Sequence, residues 1–129
     1  MPGIRATMYV IAVNDLRRSA AFYADALGFT VHEIGDDGWR MFTRDSCRIM
    51  AGHCPDATPP AALGDHSYFA YLTVDDADGL YAEIAPRIEP AGGAILKPPR
   101  DEVWGMREFD IRTVDGHRIM VGQDIAKSA

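Results

Sequence analysis

The sequence predicts an α+β fold in which two βαβββ modules form curved mixed sheets around a shared cleft. Three observations support this prediction: an internal repeat, a helical pattern after the first strand of each half, and a length of 129 residues. A chain of this length buries roughly two-thirds of its unfolded surface, so it needs no disulfide or structural metal. We therefore interpret residues 1–129 as a single domain.

The repeat is visible in two pairs of short segments. Residues 8–13 (MYVIAV) and 69–74 (FAYLTV) are apolar runs, and each precedes an acidic residue and a helical pattern. Residues 47–52 (CRIMAG) and 117–122 (HRIMVG) are similar to each other along their whole length. Two copies of one unit are indicated, and a unit of about 60 residues is too small to bury a core alone. We expect a shared core with the helices outside, and these bounds: module one about 5–53, connector about 54–66, module two about 67–124.

In the first module a helix is expected directly after the opening strand. Asp15 can cap its N-terminus, and Gly28 is a natural stop. Between them, apolar residues recur at steps of three and four, which is the helical period; they are Leu16, Ala20, Tyr23 and Leu27. Turn residues then separate three predicted strands, residues 29–34, 39–43 and 47–52.

The second module follows the same plan with two interruptions. Residues 77–88 carry a helical stripe, although Pro86 predicts that the helix ends or kinks near Ala85. A short strand is expected at residues 94–96 and a loop at 97–103, where two prolines lie in sequence. Two more strands, about 105–113 and 117–122, complete the module.

The composition excludes some classes of partner. The formal net charge is −6, so the chain has no excess of Lys or Arg with which to bind nucleic acid. No targeting or membrane-spanning segment is visible, so we expect a cytoplasmic protein without a membrane partner. Cys47 and Cys54 have neither redox-pair nor zinc-site spacing, and both are expected to be reduced.

These residues carry a family resemblance. The paired modules, the helix that opens with Asp15-Leu16 and contains Phe22-Tyr23, and the segment WGMREFDIRTVDGHRIMVG at residues 104–122 resemble the vicinal-oxygen-chelate superfamily. That superfamily includes glyoxalase I, extradiol dioxygenases, fosfomycin-resistance enzymes and bleomycin-resistance proteins. The segment at residues 104–122 is most similar to the bleomycin-resistance branch. The resemblance implies a homodimer whose binding grooves lie between subunits.

The metal enzymes of this superfamily take one ligand from the first strand and one from the last strand of each module. The matching positions here are all apolar; they are Met8, Met50, Phe69 and Met120. A thioether is a poor ligand for Zn²⁺, Fe²⁺ or Mn²⁺, and a phenyl ring is not a ligand. We therefore expect no metal, no other cofactor and no metal chemistry.

Aromatic and flexible apolar residues favour a binding protein instead. Trp39 and Trp104 match positions that are aromatic in bleomycin-resistance proteins, where they sandwich the planar tail of the antibiotic. Methionines on inward strand positions make a pocket adaptable, although the same residues can also fill a closed core. We predict that the chain sequesters a planar or cationic, antibiotic-like molecule in an apolar cleft. The predicted ligand-binding residues are Met8, Trp39, Met50, Phe69, Tyr71, Trp104, Arg107, Glu108 and Met120.

Two enzymatic alternatives stay open. One is a metal-dependent lyase, isomerase or dioxygenase of the same superfamily. The other is a metal-free enzyme in which Glu108 or His53 serves as acid or base, and these are the only catalytic candidates. His32 and His117 are interpreted as exposed strand or hairpin residues, and the scattered Cys47, His53, Cys54 and His66 match no metal-site spacing.

Overall fold

Two four-stranded mixed sheets, each with one helix, make up the computed structural model, which describes residues 2–126. Sheet A has the order β1-β4-β3-β2 and sheet B the order β5-β8-β7-β6. The first and last strands of each module, β1 with β4 and β5 with β8, pair in parallel. The elements of module one are β1 (Tyr9–Val13), α1 (Leu16–Asp25), β2 (Thr30–Glu33), β3 (Trp39–Arg44) and β4 (Cys47–His53). Between the modules lie 3₁₀ turns at Pro60–His66, which we call the connector turn. The elements of module two are β5 (Tyr68–Thr73), α2 (Ala77–Ile88), β6 (Ala94–Asp101), β7 (Met106–Arg112) and β8 (Arg118–Asp124).

The first module agrees with the prediction in each element. The Asp15 side chain accepts a hydrogen bond of 3.1 Å from the backbone N–H of Arg18, and it thereby caps α1. Gly28 follows the helix with φ of 72°, a conformation that costs glycine little because it has no Cβ. The sequence signals for the beginning and the end of this helix are therefore confirmed.

The loop expected at residues 97–103 is wrong, because β6 continues to Asp101 through both prolines. Proline lacks the N–H that a ladder needs, and it is tolerated where one side of the strand has no partner. β6 is the edge strand of sheet B, and its pairing with β7 shifts register between Ile95 and Lys97 and again between Lys97 and Arg100. These irregularities accommodate the prolines without ending the strand.

The helix α2 does not end near Ala85, because it runs through Pro86 to Ile88. Pro86 removes only the hydrogen bond to the carbonyl of Ala82, and Ala82 lies on the exposed side of the helix. Water can satisfy that carbonyl, and so the helix tolerates a proline in its last turn.

One hydrophobic core joins the two modules. Its members come from α1, α2 and both sheets, and Tyr23 at its centre stacks on Phe42 with ring centroids 4.6 Å apart. The expectation that both helices lie outside is wrong for α1. Its Ser19 hydroxyl donates a buried 2.7 Å hydrogen bond to Asp115 of module two, so the helix lies between sheet A and the second module. The second module thus covers part of the surface of α1 that sheet A does not cover.

Within residues 2–126, neither helix is long and apolar enough to cross a membrane.

Candidate functional site

Each sheet has one face packed against the common core and one face turned away from it, which we call the outer face. On sheet A the core face carries Ile11, Phe42 and Ile49. Because side chains alternate along a strand, the residues between them point outward. The outer face of sheet A thus carries Val10, Trp39, Met41, Met50 and Gly52, and that of sheet B carries Glu108, Asp110, Met120 and Gly122.

Trp39 is the centre of the outer face of sheet A. It pairs with Gly52 across β3 and β4, and its ring lies so close that a Cβ at Gly52 would be 2.9 Å from two ring carbons. Only glycine permits this contact without moving the ring. The indole stays 39% exposed and borders a cavity of ≈ 360 Å³, which is lined by residues 10–12, Trp39 and residues 52–54. An aromatic surface is therefore presented beside an open depression.

Glu108 is the centre of the outer face of sheet B. Only 3% of this residue is exposed. Its Oε2 accepts hydrogen bonds from the Tyr71 hydroxyl at 2.6 Å and from the Trp104 indole N–H at 3.0 Å. The ammonium group of Lys97 lies 3.7 Å from Oε1. Burying a carboxyl group is unfavourable unless it is hydrogen-bonded or paired, and this group has three partners. Trp104 itself stays 61% exposed while its N–H is held.

The Tyr71 hydroxyl is fixed in the role of a donor. Burial raises the pKa of Tyr71 well above its ordinary value of 10.0, and the hydrogen bond to Glu108 and the nearby charge of that residue raise it further. Tyr71 reaches Glu108 by crossing Gly122, where an added Cβ would lie 2.6 Å from Tyr71 Cζ. The two repeated glycines, Gly52 and Gly122, thus make room for an aromatic side chain on each outer face. The sequence signal for these two crossings is the final glycine of each repeat, which the spacing of the motifs alone does not single out.

Part of the outer face of sheet B is covered. Asp110 is fully buried and forms an ion pair with Arg118, which also donates to the carbonyl of Asp65 at 3.1 Å. The connector turn lies against Gly116, where a Cβ would be 2.8 Å from the backbone nitrogen of Ala61. The open part of this face is therefore the end that contains Glu108, Tyr71 and Trp104.

The remaining predicted apolar residues lie around these two centres. Met50 lies in β4 between Val10 and Met41, and Met120 lies in β8 between Tyr71 and Asp110. Phe69 packs edge-on against Tyr9 and His117, with centroid distances of 5.5 and 5.0 Å, and so it supports the core. Met8 is half-buried and directly precedes β1.

Arg107 is placed elsewhere. Strand alternation puts it on the opposite side of β7 from Glu108. Its guanidinium donates to Asp101 at 2.8 Å and to Asp78 of α2 at 2.9 Å, and these two hydrogen bonds raise its pKa. The structure therefore brings Tyr71, Trp104 and Glu108 together but leaves Arg107 in a separate surface cluster.

The histidines divide into exposed and buried ones. His53 is exposed with Nε2 3.1 Å from the carbonyl of Asn14, and it lies on sheet A whereas Glu108 lies on sheet B. His32 is exposed as expected, 2.9 Å from the Thr43 hydroxyl. The expectation that His117 lies at the surface is wrong: it is buried against Phe69, and burial lowers its pKa from 6.5 to about 4. The turn that precedes β8 folds inward under the connector turn, which a linear sequence does not reveal.

In the part of the chain that the structure describes, the possible metal ligands are scattered. Across residues 2–126, no three His, Cys, Asp or Glu side chains are close enough together to hold a metal ion. Cys47 and His53 stand at opposite ends of β4, and His66 belongs to the connector turn.

A cleft shared by the two modules is present, and its lining differs from the predicted one. It encloses ≈ 470 Å³ and is bordered by Tyr9, Phe29 and Cys47 of module one and by Leu72, Ile84 and Val121 of module two, among others. Among the nine predicted binding residues, only Tyr71 borders it, within the stretch of residues 71–76. The others lie on the outer faces, at the edge of the core or in the cluster of Arg107.

The arrangement is that of paired βαβββ modules with a common core and an exposed tryptophan at the outer face of each sheet. Residues 5–121 match the Glyoxalase/Bleomycin resistance protein/Dioxygenase superfamily, and the chain belongs to this superfamily.

Among curated proteins, the bleomycin resistance proteins of Geobacillus stearothermophilus and Staphylococcus aureus are each 28% identical to this chain, over 89% of it and 93% of the relative. Among solved structures, the bleomycin-binding protein of Streptomyces verticillus in complex with copper(II)-bleomycin superposes with a TM-score of 0.73 at 23% identity, covering 94% of this chain and 97% of that one. The bleomycin resistance determinant encoded on transposon Tn5 gives a TM-score of 0.71 at 20% identity, covering 94% and 98%. These structures establish the fold.

Proposed function

We propose that this chain binds a planar, cationic molecule similar to bleomycin on its outer faces and sequesters it without a chemical step. The observation that carries this proposal is the Glu108 centre, where a buried carboxyl group holds the N–H of a largely exposed indole. The exposed face of this indole suits a ligand that is both flat and positively charged, because such a ligand can stack on the ring and interact with its π electrons. Relatives named for bleomycin resistance, at 28% identity over most of the chain, support the choice of ligand.

Two aromatic surfaces are needed to sandwich a planar group, and one chain supplies them on different faces. Trp39 belongs to the outer face of sheet A and Trp104 to that of sheet B, while the core faces of both sheets contribute to one core. The outer faces therefore look away from each other. A sandwich requires Trp39 of one chain and Trp104 of a second, and we propose a homodimer in which sheet A of each copy faces sheet B of the other.

The proposal includes no metal, because the side chains at the superfamily's ligand positions do not fit one. In the sheet register Met50 lies beside Val10, and Met120 lies beside Tyr71, whose hydroxyl is already engaged by Glu108. Thioether and hydrocarbon groups are poor partners for the divalent ions these enzymes use. Elemental analysis of protein purified without chelators should give far less than one equivalent of Zn, Fe, Mn or Ni per chain. One full equivalent would favour the metal-dependent alternative.

The binding proposal is tested by calorimetric titration of metal-free bleomycin into wild type and three single variants. Trp104→Ala and Trp39→Ala should each weaken binding about tenfold or more, because each removes a stacking contact and its buried area. Tyr68→Ala is the matched control, since Tyr68 is an exposed aromatic residue on the edge strand of sheet B that touches neither centre. Wild-type affinity in Trp104→Ala, or no binding of bleomycin by wild type, would show that the proposed ligand class is wrong.

The homodimer is tested separately by sedimentation equilibrium. A chain of 14.2 kDa should sediment as a particle of twice that mass. Val10 is 57% exposed on the outer face of sheet A, so Val10→Glu should weaken the dimer. If wild type stayed monomeric at concentrations where it binds bleomycin, the two-chain sandwich would be wrong and the ligand would bind to one face of a single chain.

A further inference from the structure

The proposed function does not use the shared cleft between the modules. This cleft has an apolar floor and a charged opening. The floor is formed by residues that are at most 3% exposed, such as Ile84, Ile111 and Val121. Half-buried Leu72 and Leu80 continue this apolar surface toward the opening. The volume of ≈ 470 Å³ falls within the range of roughly 300–1,000 Å³ that small-molecule sites occupy.

Water in this cleft meets an apolar floor. At about 30 Å³ per molecule, the cleft would hold on the order of 15 waters. Those next to the isoleucine and valine floor find few hydrogen-bond partners, and displacing such water with an apolar group is favourable. The floor therefore selects the apolar body of a ligand.

The opening selects the charge of the ligand. Four carboxyl groups and two guanidinium groups border it; they are Asp45, Asp75, Asp76, Glu83, Arg44 and Arg48. Arg44 is already neutralised, because it donates to Glu83 at 2.9 and 3.2 Å across the boundary between the modules. The remaining balance is negative, which favours a cationic group near Asp75 and Asp76.

We propose that the shared cleft is a second binding site, distinct from the outer faces, for a small amphiphile with an apolar body and a cationic head such as an alkylammonium ion. The apolar body lies on the floor between α2 and sheet B, and the ammonium group lies at the acidic opening. The site is independent of the dimer, because residues from both modules of one chain form it.

The two cysteines report on the two sites separately. Cys47 borders the shared cleft, whereas Cys54 borders the cavity beside Trp39 on the outer face of sheet A. The experiment measures the rate of alkylation by iodoacetamide, using Cys54→Ser protein to follow Cys47 and Cys47→Ser protein to follow Cys54. Octylammonium and octanoate, which share a chain and differ in charge, are the probes.

Octylammonium should slow the alkylation of Cys47 about fivefold or more and leave that of Cys54 nearly unchanged, since reactivity follows access to the thiol. Octanoate should protect Cys47 much less. Equal protection by octanoate would overturn the cationic head, and protection of Cys54 alone would place the probe on the outer face. Bleomycin is expected to give the reverse pattern, so failure of this proposal and failure of the proposed function give different results.

A pair of variants on α2 provides a second measurement that does not depend on thiol reactivity. Leu80→Trp fills the cleft, while Ala82→Trp adds the same indole to an exposed position of the same helix. Calorimetric titration with octylammonium should detect binding in wild type and Ala82→Trp and at least tenfold weaker binding in Leu80→Trp. Equal binding by both variants, with circular dichroism showing both folded, would overturn the site.

Discussion

The outer faces of the two sheets have the same backbone plan and opposite chemistry. Trp39 and Glu108 occupy equivalent positions, each paired with the glycine that ends its repeat, Gly52 in sheet A and Gly122 in sheet B. On sheet A the tryptophan itself lies over the glycine. On sheet B a tyrosine from the neighbouring strand crosses the glycine to reach the carboxyl group. At this position one repeated unit therefore has an aromatic side chain and the other a carboxyl group.

This difference indicates that the two faces contribute differently to folding stability and to the proposed ligand binding. The contact between Trp39 and Gly52 is a surface contact, since the indole is 39% exposed. The Glu108 centre is a hydrogen-bond network around a buried carboxyl group, and such networks lose stability when one member is removed. We expect substitutions on sheet B to affect folding and those on sheet A to affect mainly binding.

The largest expected effect comes from Glu108→Leu. This change leaves the Tyr71 hydroxyl and the Trp104 N–H without their acceptor, and it should lower the free energy of unfolding by about 3 kcal/mol. Trp39→Leu, at the equivalent position of sheet A, should lower it by about 1 kcal/mol or less. Urea denaturation of both variants measures the difference. Equal destabilisation would mean that the two faces are energetically alike.

The next effect depends on pH and compares the first residues of the two repeats. Burial lowers the pKa of His117 from 6.5 to about 4 and raises the pKa of Cys47, so both side chains are kept neutral. Between pH 4 and pH 6.5 the unfolded chain binds a proton at His117 that the folded chain does not bind. Stability is therefore complete above pH 6.5 and declines as the pH falls toward 4, by about 2 kcal/mol between pH 7.5 and 5.

His117→Gln tests this dependence. Urea denaturation at pH 7.5, 6 and 5 should show a smaller loss of stability with acid in the variant than in wild type. Asp115 lies in the same turn, and its pKa is raised by burial, so its own contribution has the opposite sign. Since Asp115 is present in both proteins, the difference between them isolates His117. Parallel pH profiles would contradict a buried neutral histidine.

A matched pair of glycine substitutions compares the two aromatic crossings directly. In Gly122→Ala the new methyl group displaces Tyr71 and breaks its 2.6 Å hydrogen bond to Glu108, which should cost about 2 kcal/mol. In Gly52→Ala the exposed Trp39 ring can swing aside, at a cost of about 1 kcal/mol or less. Thermal unfolding ranks the two. A larger loss for Gly52→Ala would reverse the assignment of the rigid and the mobile face.

Much of the fold was predictable because it depends on local sequence patterns. The repeat, the helix from Asp15 to Gly28 and the strand that contains Glu108 follow from periodicity and caps. Errors arose where a distant segment decides the outcome. Pro98 and Pro99 continue a strand because β6 lies at an edge, and His117 is buried because the turn before β8 packs under the connector turn.

The site was predictable only in part, for a similar reason. The resemblance singled out Trp39 and Trp104, and Glu108 was among the predicted binding residues. The cross-strand partner of Glu108 was not foreseen, because Tyr71 reaches it only across a glycine of a third strand. The lining of the shared cleft was not foreseen either, since its floor is made of residues whose pattern indicates an ordinary core.

Arg107→Gln is expected to have the smallest effect, and it tests whether the two sides of β7 have different roles. Although Arg107 is the neighbour of Glu108 in sequence, it lies in exposed ion pairs with Asp78 and Asp101, and pairs of this kind contribute about 0–1 kcal/mol. Its loss should change the urea midpoint only slightly and the affinity for bleomycin not at all, while Glu108→Gln should weaken that affinity. If Arg107→Gln weakened binding as much as Glu108→Gln, both faces of β7 would contribute to the ligand site, and the division into a core face and an outer face would not describe recognition by sheet B.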